Sequence, residues 1–165
     1  MSAQPKTKAT LTLPSDREIL MTRVFNAPRE LVFKAYTDPQ LVKQWWGLRN
    51  NTMTIDKMDV RPGGVWRYVE RDAEGNEFGF KGEYREIVPP SRIVNTFEFE
   101  GMPGHVGVIT TTFTELPGGK TEMKELSLFD SKEDRDGLIQ SGMEGGANES
   151  YERLDELLAK VGATR

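Results

Sequence analysis

The spacing of apolar residues along the chain changes between a helical period and a period of two, and these changes divide the chain into elements. Apolar and β-branched residues dominate residues 19–26, which predicts a first strand. Pro28 then suits the first turn of a helix, and apolar residues recur at helical spacing over 31–36. The Asp-Pro pair at 38–39 is typical of the start of a second short helix.

The centre of the chain follows a period of two, as half-buried strands do, for about 80 residues. Turn residues rich in glycine and proline interrupt this period at intervals. A change of phase near Met58 indicates a β-bulge. The pattern predicts six strands, at residues 53–60, 65–69, 78–88, 92–100, 106–116 and 121–129.

The C-terminal part of the chain has a helical period. Ser131 is suited to cap a helix, because acidic residues follow it in the first turn. Apolar residues then recur every three or four positions from Leu138 to Val161. The pattern predicts one long amphipathic helix of about 30 residues, in spite of three glycines within it.

This order of elements predicts an α+β fold. Successive hairpins form an antiparallel sheet, and the long helix carries the apolar stripe that its concave face requires. We therefore expect a seven-stranded curved antiparallel sheet, two short helices after strand one, and a long C-terminal helix. Residues 1–16 are polar and are expected to be a flexible lead-in, and 17–163 to form a single domain.

Composition and charge exclude several classes of function. The net charge of -4 argues against a nucleic-acid partner, since such partners are bound by basic surfaces. With no cysteine and one histidine, His105, we expect no metal and no cofactor. No stretch resembles a signal peptide or a membrane span, so a cytoplasmic protein is expected, as a monomer or weak dimer.

Several short motifs resemble the START-like helix-grip superfamily, also called SRPBCC. They are RVFNAP at 23–28, DP at 38–39, WWG at 45–47, DVRPGGVW at 59–66, GEYREIVPPSRI at 82–93, GGKT at 118–121 and SGMEGGANESYERL at 141–154. The resemblance points to a bacterial subgroup named after an activator of a heat-shock-chaperone ATPase. It implies a helix-grip fold, in a superfamily that includes lipid carriers, hormone receptors and polyketide cyclases.

An aromatic sheet face is the strongest candidate for a site. Residues two apart on a strand share a face, and the aromatic residues of the central strands come in such pairs. These rings could form a packed core, or could line a cavity beneath the long helix. The candidate ligand-binding residues are Trp66, Tyr68, Phe80, Tyr84, Phe97, Phe99, Thr110, Met123 and Met143.

Three functions remain open at this point. The first is binding of an apolar or aromatic small molecule between the sheet and the helix, without catalysis. The second, implied by the subgroup, is interaction with a chaperone. The third is a polyketide cyclase- or dehydratase-like enzyme using Tyr68, Tyr84 or Glu125. Glu125 shares a sheet face with Met123, and if it pointed inward its pKa would be raised. We expect binding, with no catalytic residue.

Overall fold

The computed structural model describes residues 9–163 and has the expected α+β architecture. Twelve elements follow one another along the chain, the strands all belonging to one sheet. They are β1 (Thr10–Thr12), β2 (Glu18–Phe25), α1 (Arg29–Thr37), α2 (Pro39–Val42), β3 (Thr52–Met58), β4 (Val65–Arg71), β5 (Glu77–Val88), β6 (Arg92–Phe99), β7 (Val106–Leu116), β8 (Lys120–Leu128), α3 (Lys132–Gln140) and α4 (Met143–Ala163).

The sheet is antiparallel throughout, with the strand order β1-β2-β8-β7-β6-β5-β4-β3. Every neighbouring pair except β2·β8 is consecutive in the chain, as hairpins require. The ladder shifts register between Ile55 and Lys57, close to the bulge that the sequence indicates. A second shift, between Tyr84 and Glu86, bends the long strand β5. Both irregularities increase the curvature of the sheet.

The expected number of strands is wrong by one, because part of the supposed lead-in is a strand. β1 pairs with β2, Thr10 lying opposite Thr22. The amide of Ala9 donates a hydrogen bond of 2.9 Å to Asn148 Oδ1 on α4. A strand of three residues is too short to show a period, so the hydrophobic pattern did not indicate it. Residues 1–8 of the predicted lead-in lie outside the described residues.

The single long helix of the sequence pattern is two helices. Ser131 caps α3 as expected, its hydroxyl accepting a hydrogen bond of 3.1 Å from the amide of Asp134. The helical path ends at Gly142, whose φ of +88° lies in the left-handed region. α4 begins at the next residue. Apolar residues keep their helical spacing across this break, so periodicity alone could not reveal it.

The core lies where α1 and α4 pack against the concave face of the sheet. Leu154 of α4 is fully buried, and the Tyr151 ring makes an edge contact of 6.0 Å with Phe25 of β2. From α1, Phe33 makes a similar contact of 5.9 Å with Phe113 of β7. The remaining part of the concave face, over the central strands, is where space is left for a site.

Two glycine substitutions should have opposite effects on stability. Gly142→Ala places a Cβ on a left-handed residue and should lower the free energy of unfolding by about 1–2 kcal/mol. Gly145 lies inside α4 with no atom near the position of an added Cβ. Gly145→Ala should therefore raise stability by up to about 1 kcal/mol. Thermal melts would show shifts of about 2–4 °C per kcal/mol. Equal shifts for both variants would contradict the helix break at Gly142.

Candidate ligand-binding cavity

A cavity of about 520 Å³ lies between the concave sheet face and the two C-terminal helices. Its floor is formed by the inward residues of β4 to β8, and its roof by the α3–α4 junction together with the segment 45–48 after α2. Its lining includes Leu48, which is 41% exposed, and the exposed residues Ser141 and Gly142 at the helix break. The cavity therefore reaches the surface beside the helix break.

One wall of the cavity is aromatic. The ring centroids of Trp66 and Tyr68 are 4.7 Å apart, and Phe97 lies 5.9 Å from Trp66. Trp46 closes this wall, with its ring 5.1 Å from both Tyr68 and Phe80 in edge-to-face geometry. Such contacts hold the rings in place and leave their faces and edges available to a flat apolar ligand.

A glycine on the neighbouring strand allows Trp66 to occupy this position. Gly82 lies opposite Trp66 in the β4·β5 pair. A Cβ at Gly82 would come within 2.6 Å of the indole Nε1 and closer still to the carbonyl oxygen of Thr96. Any larger residue would displace the indole or the strand, so the absence of a side chain here positions the aromatic wall.

The structure brings most of the candidate site residues together and separates three of them. Trp66, Tyr68, Phe80, Tyr84, Phe97 and Met143 line the cavity. Phe99 stacks on Phe80 at 5.2 Å but is not part of the lining. Met123 is fully buried in the core, between Arg23 of β2 and Phe113 of β7, and does not line the cavity either.

Thr110 was expected in the site and lies on the other face of the sheet. The inward residues of β7 are Gly107, Ile109 and Thr111, which line the cavity. Because faces alternate along a strand, Thr110 points to the convex side. Thr110 and Thr111 belong to a run of three threonines, which shows no alternation, so the pattern does not distinguish inward from outward residues here.

Two acidic residues line the cavity, Glu70, which accepts from the Leu48 amide at 2.7 Å, and Glu125. The inward direction of Glu125 follows from the alternation along β8, in which Met123, Glu125 and Ser127 share a face. The Tyr151 hydroxyl donates a hydrogen bond of 3.1 Å to Glu125 Oε2. Burial raises the pKa of Glu125 above its usual 4.5, although the bond from Tyr151 acts in the opposite direction. The sequence offered this orientation only as an alternative.

A buried arginine lies at the same end of the cavity. Arg23 is 2% exposed, and its Nη2 lies 2.7 Å from Asp155 Oδ2 on α4. Its Nη1 donates to the carbonyl oxygen of Tyr151 at 3.3 Å. This ion pair joins β2 to α4, and so holds Tyr151 in the position from which it reaches Glu125.

Tyr36 from α1 completes the polar end. Its hydroxyl is buried and has no hydrogen-bond partner among the described residues. Burial raises the pKa of Tyr36 well above 10.0, and the nearby charge of Glu125 raises it further. Sequence reasoning missed both Tyr36 and Tyr151, because the helical pattern marks them only as apolar positions.

The other two cavity tyrosines lie at the aromatic end. Burial raises the pKa of Tyr84 to about 12 and that of Tyr68 well above 10.0. Tyr68 also donates weakly to Met58 Sδ at 3.8 Å. Both hydroxyls therefore remain protonated at neutral pH and can serve as hydrogen-bond donors to a ligand.

Within residues 9–163, no group of three or more His, Cys, Asp or Glu side chains is arranged to hold a metal ion. No helix in that range is long and apolar enough to cross a membrane.

The curved antiparallel sheet, the short helices after β2 and the long helix α4 define a START-like helix-grip protein. A family model described as "Activator of Hsp90 ATPase homolog 1-like protein" matches residues 26–159. Because this match covers most of the chain, the protein belongs to that family. No match was found among curated proteins.

Solved structures from several bacteria share this fold. A crystal structure from Rhodobacter sphaeroides is 27% identical, with a TM-score of 0.87 over 93% of this chain and 99% of that chain. A protein from Mycobacterium smegmatis is 25% identical, with a TM-score of 0.82 over 91% and 96%. A solution structure from Staphylococcus epidermidis is 28% identical, with a TM-score of 0.78 over 92% and 94%.

Glu125→Gln should remove a pH-dependent loss of stability. The folded-state pKa of Glu125 is raised, so the folded chain binds its proton more tightly than the unfolded chain does. Wild-type stability therefore falls as pH rises from the unfolded pKa through the folded one. Glutamine cannot ionise, so the variant should gain free energy of unfolding relative to wild type above pH 4.5. Urea unfolding at a series of pH values measures this difference.

The matched control is Glu122→Gln, on the same strand but on the convex face. Its difference from wild type should not show the same rise with pH. A flat difference for Glu125→Gln would mean that the Glu125 carboxyl is not desolvated in the folded protein.

Proposed function

We propose that the protein binds an apolar aromatic small molecule in the cavity between the sheet and α4. The observation that carries this proposal is the cavity of about 520 Å³ with one aromatic wall. Its volume lies within the range of about 300–1,000 Å³ found for small-molecule sites. Membership of the helix-grip class supports a binding function of this kind.

The access of the cavity to the surface supports the same proposal. Because solvent and small molecules can enter it, the cavity is filled by water or by a ligand. Water gains little from the aromatic wall, so a ligand that covers these rings would bind favourably.

The geometry of the site favours an aromatic ligand over an aliphatic one. Trp46, Trp66 and Phe97 all line the cavity and can present ring faces or edges to a ligand. Edge-to-face and offset contacts with a ligand ring would each contribute about 0.5–1.5 kcal/mol beyond the burial of area. The tyrosine hydroxyls at the two ends could then orient polar substituents.

The second candidate function is acid–base catalysis on a bound ligand, which the raised pKa of Glu125 favours. Mass spectrometry of the ligand after incubation tests it, since catalysis changes the ligand and binding does not. A chaperone is proposed as a partner by the family name alone. The cavity is a feature of this structure, whereas the chaperone rests on a name alone, and we therefore propose ligand binding first.

The neutral dye N-phenyl-1-naphthylamine should bind in the cavity with micromolar affinity and increase its emission. Trp45, Trp46 and Trp66 all line the cavity, so protein emission would not report on Trp66 alone, and the dye is the better reporter. At a hundredfold excess over Kd, binding adds about 2.7 kcal/mol to stability. The melting temperature should then rise by roughly 5–10 °C.

Two substitutions on α4 provide a matched pair for this test. Ala147 lines the cavity, whereas Gly145 is exposed and outside the lining. Ala147→Phe should fill part of the cavity and weaken dye binding by about tenfold or more, a loss of about 1.4 kcal/mol. Gly145→Phe adds a ring to the outer side and should leave affinity unchanged. Equal affinities for both variants would place the dye elsewhere and overturn the proposed function.

A further inference from the structure

Among residues 9–163, one oxygen of the Glu125 carboxyl has no hydrogen-bond partner. Tyr151 is the hydrogen-bond donor to this carboxyl among residues 9–163, and it binds Oε2. A carboxylate can accept about four hydrogen bonds, so most of its capacity is unused. Oε1 belongs to a side chain that lines the cavity. A group inside the cavity can therefore reach this oxygen.

Two further hydroxyls accompany Glu125 on the cavity floor. Thr111 lies directly opposite Glu125 in the β7·β8 ladder, and Ser127 follows two residues later on the same face of β8. Thr111 is 4% exposed and lines the cavity, as Ser127 does. Directly opposed residues have Cβ atoms about 4.5–5.5 Å apart. One ligand oxygen can therefore bridge Glu125 and Thr111.

The polar groups of this patch match a ligand hydroxyl. Glu125 Oε1 is an acceptor, and the Thr111 hydroxyl opposite it can donate. A ligand hydroxyl can donate to the first and accept from the second, whereas an ammonium group donates three hydrogen bonds and accepts none. The nearby guanidinium of Arg23 is already paired with Asp155 at 2.7 Å.

We propose that Glu125 and Thr111 form a subsite for the hydroxyl group of a phenolic ligand. The ligand hydroxyl donates to Glu125 Oε1 and accepts from the Thr111 hydroxyl, while its ring extends towards the aromatic wall. This subsite rests on the proposed function, because it requires an aromatic ligand in the cavity. It adds a chemical class, phenols, to the aromatic ligands proposed above.

Three probes of nearly equal size test the subsite: naphthalene, 2-naphthol and 2-methoxynaphthalene. Their Kd values are measured by displacement of N-phenyl-1-naphthylamine. Only 2-naphthol can donate to Glu125, and a hydrogen bond to a charged acceptor should give it about a tenfold or greater advantage. The methyl ether retains the ring and the oxygen, so it isolates the effect of the donated proton.

Glu125→Met keeps the length of the side chain and removes both carboxyl oxygens. The preference for 2-naphthol over its methyl ether should then disappear, with the affinity for naphthalene unchanged or higher. Glu122→Met is the matched control on the convex face of β8, and it should retain the preference. Thr111→Val removes one hydroxyl at constant shape and should reduce the preference several-fold, which provides a second variant if Glu125→Met does not fold.

The possible results separate the two proposals. If 2-naphthol and 2-methoxynaphthalene bind wild type equally, the subsite is wrong and the aromatic cavity stands. If 2-naphthylmethylamine, a cation at neutral pH, binds more tightly than 2-naphthol, the hydroxyl class is wrong. If none of these probes displaces the dye, and the dye itself binds Ala147→Phe as it binds wild type, the proposed function is wrong. A 2-naphthol preference that depends on Glu125 and not on Glu122 supports the subsite.

Discussion

The width of the sheet relative to the width of a helix determines most of this structure. Eight strands spaced about 4.8 Å apart extend roughly 34 Å along the curved surface, whereas a helix with its side chains is about 10–12 Å across. α4 can therefore cover only a few strands. It packs over β2 and β8, where Phe25 and Glu125 both meet Tyr151. The central strands keep part of their concave face free of helix, and that free part is the cavity floor.

Polar contacts determine where α4 lies on this wide surface. Hydrophobic packing is not directional, and an apolar stripe could slide along an apolar face. The pair between Arg23 and Asp155, and the bond from Tyr151 to Glu125, specify one position for the helix. On the opposite side, Gly47 accepts from Arg153 at 3.1 Å and donates to Ser150 at 3.0 Å. Burying such groups contributes little net stability, but breaking one partner is costly, so they select a single arrangement.

The extent to which the sequence predicted this structure follows from the length of each pattern. Most strands of seven or more residues show their period clearly, and the antiparallel sheet could be derived from them. β1 has three residues and shows none. The break at Gly142 leaves the spacing of apolar residues unchanged, so only its backbone angle reveals it.

The cavity residues could be predicted where inward and outward residue types alternate clearly along a strand. The pairs Trp66 with Tyr68 and Phe97 with Phe99 gave the correct sheet face, although Phe99 lies beyond the end of the cavity. The predicted inward position of Thr110 is wrong, because three consecutive threonines do not show which of them faces inward. Tyr36 and Tyr151 come from two helices that are distant in sequence and meet only in the folded chain, so no local pattern could indicate their meeting with β8.

The polar groups in the cavity wall are costly to a protein whose cavity is empty. Within residues 9–163, buried side-chain atoms without a hydrogen-bond partner are Arg29 Nε, Tyr36 Oη and Trp66 Nε1, and the last two belong to cavity residues. An unsatisfied buried group costs about 1–3 kcal/mol, and Glu125 adds the cost of a desolvated carboxyl. Larger apolar side chains at these positions would fill the space and raise stability. Polar groups with free hydrogen-bonding capacity lie here beside an apolar surface instead. This arrangement lowers stability, and it is the one expected of a site for a ligand that is both aromatic and polar.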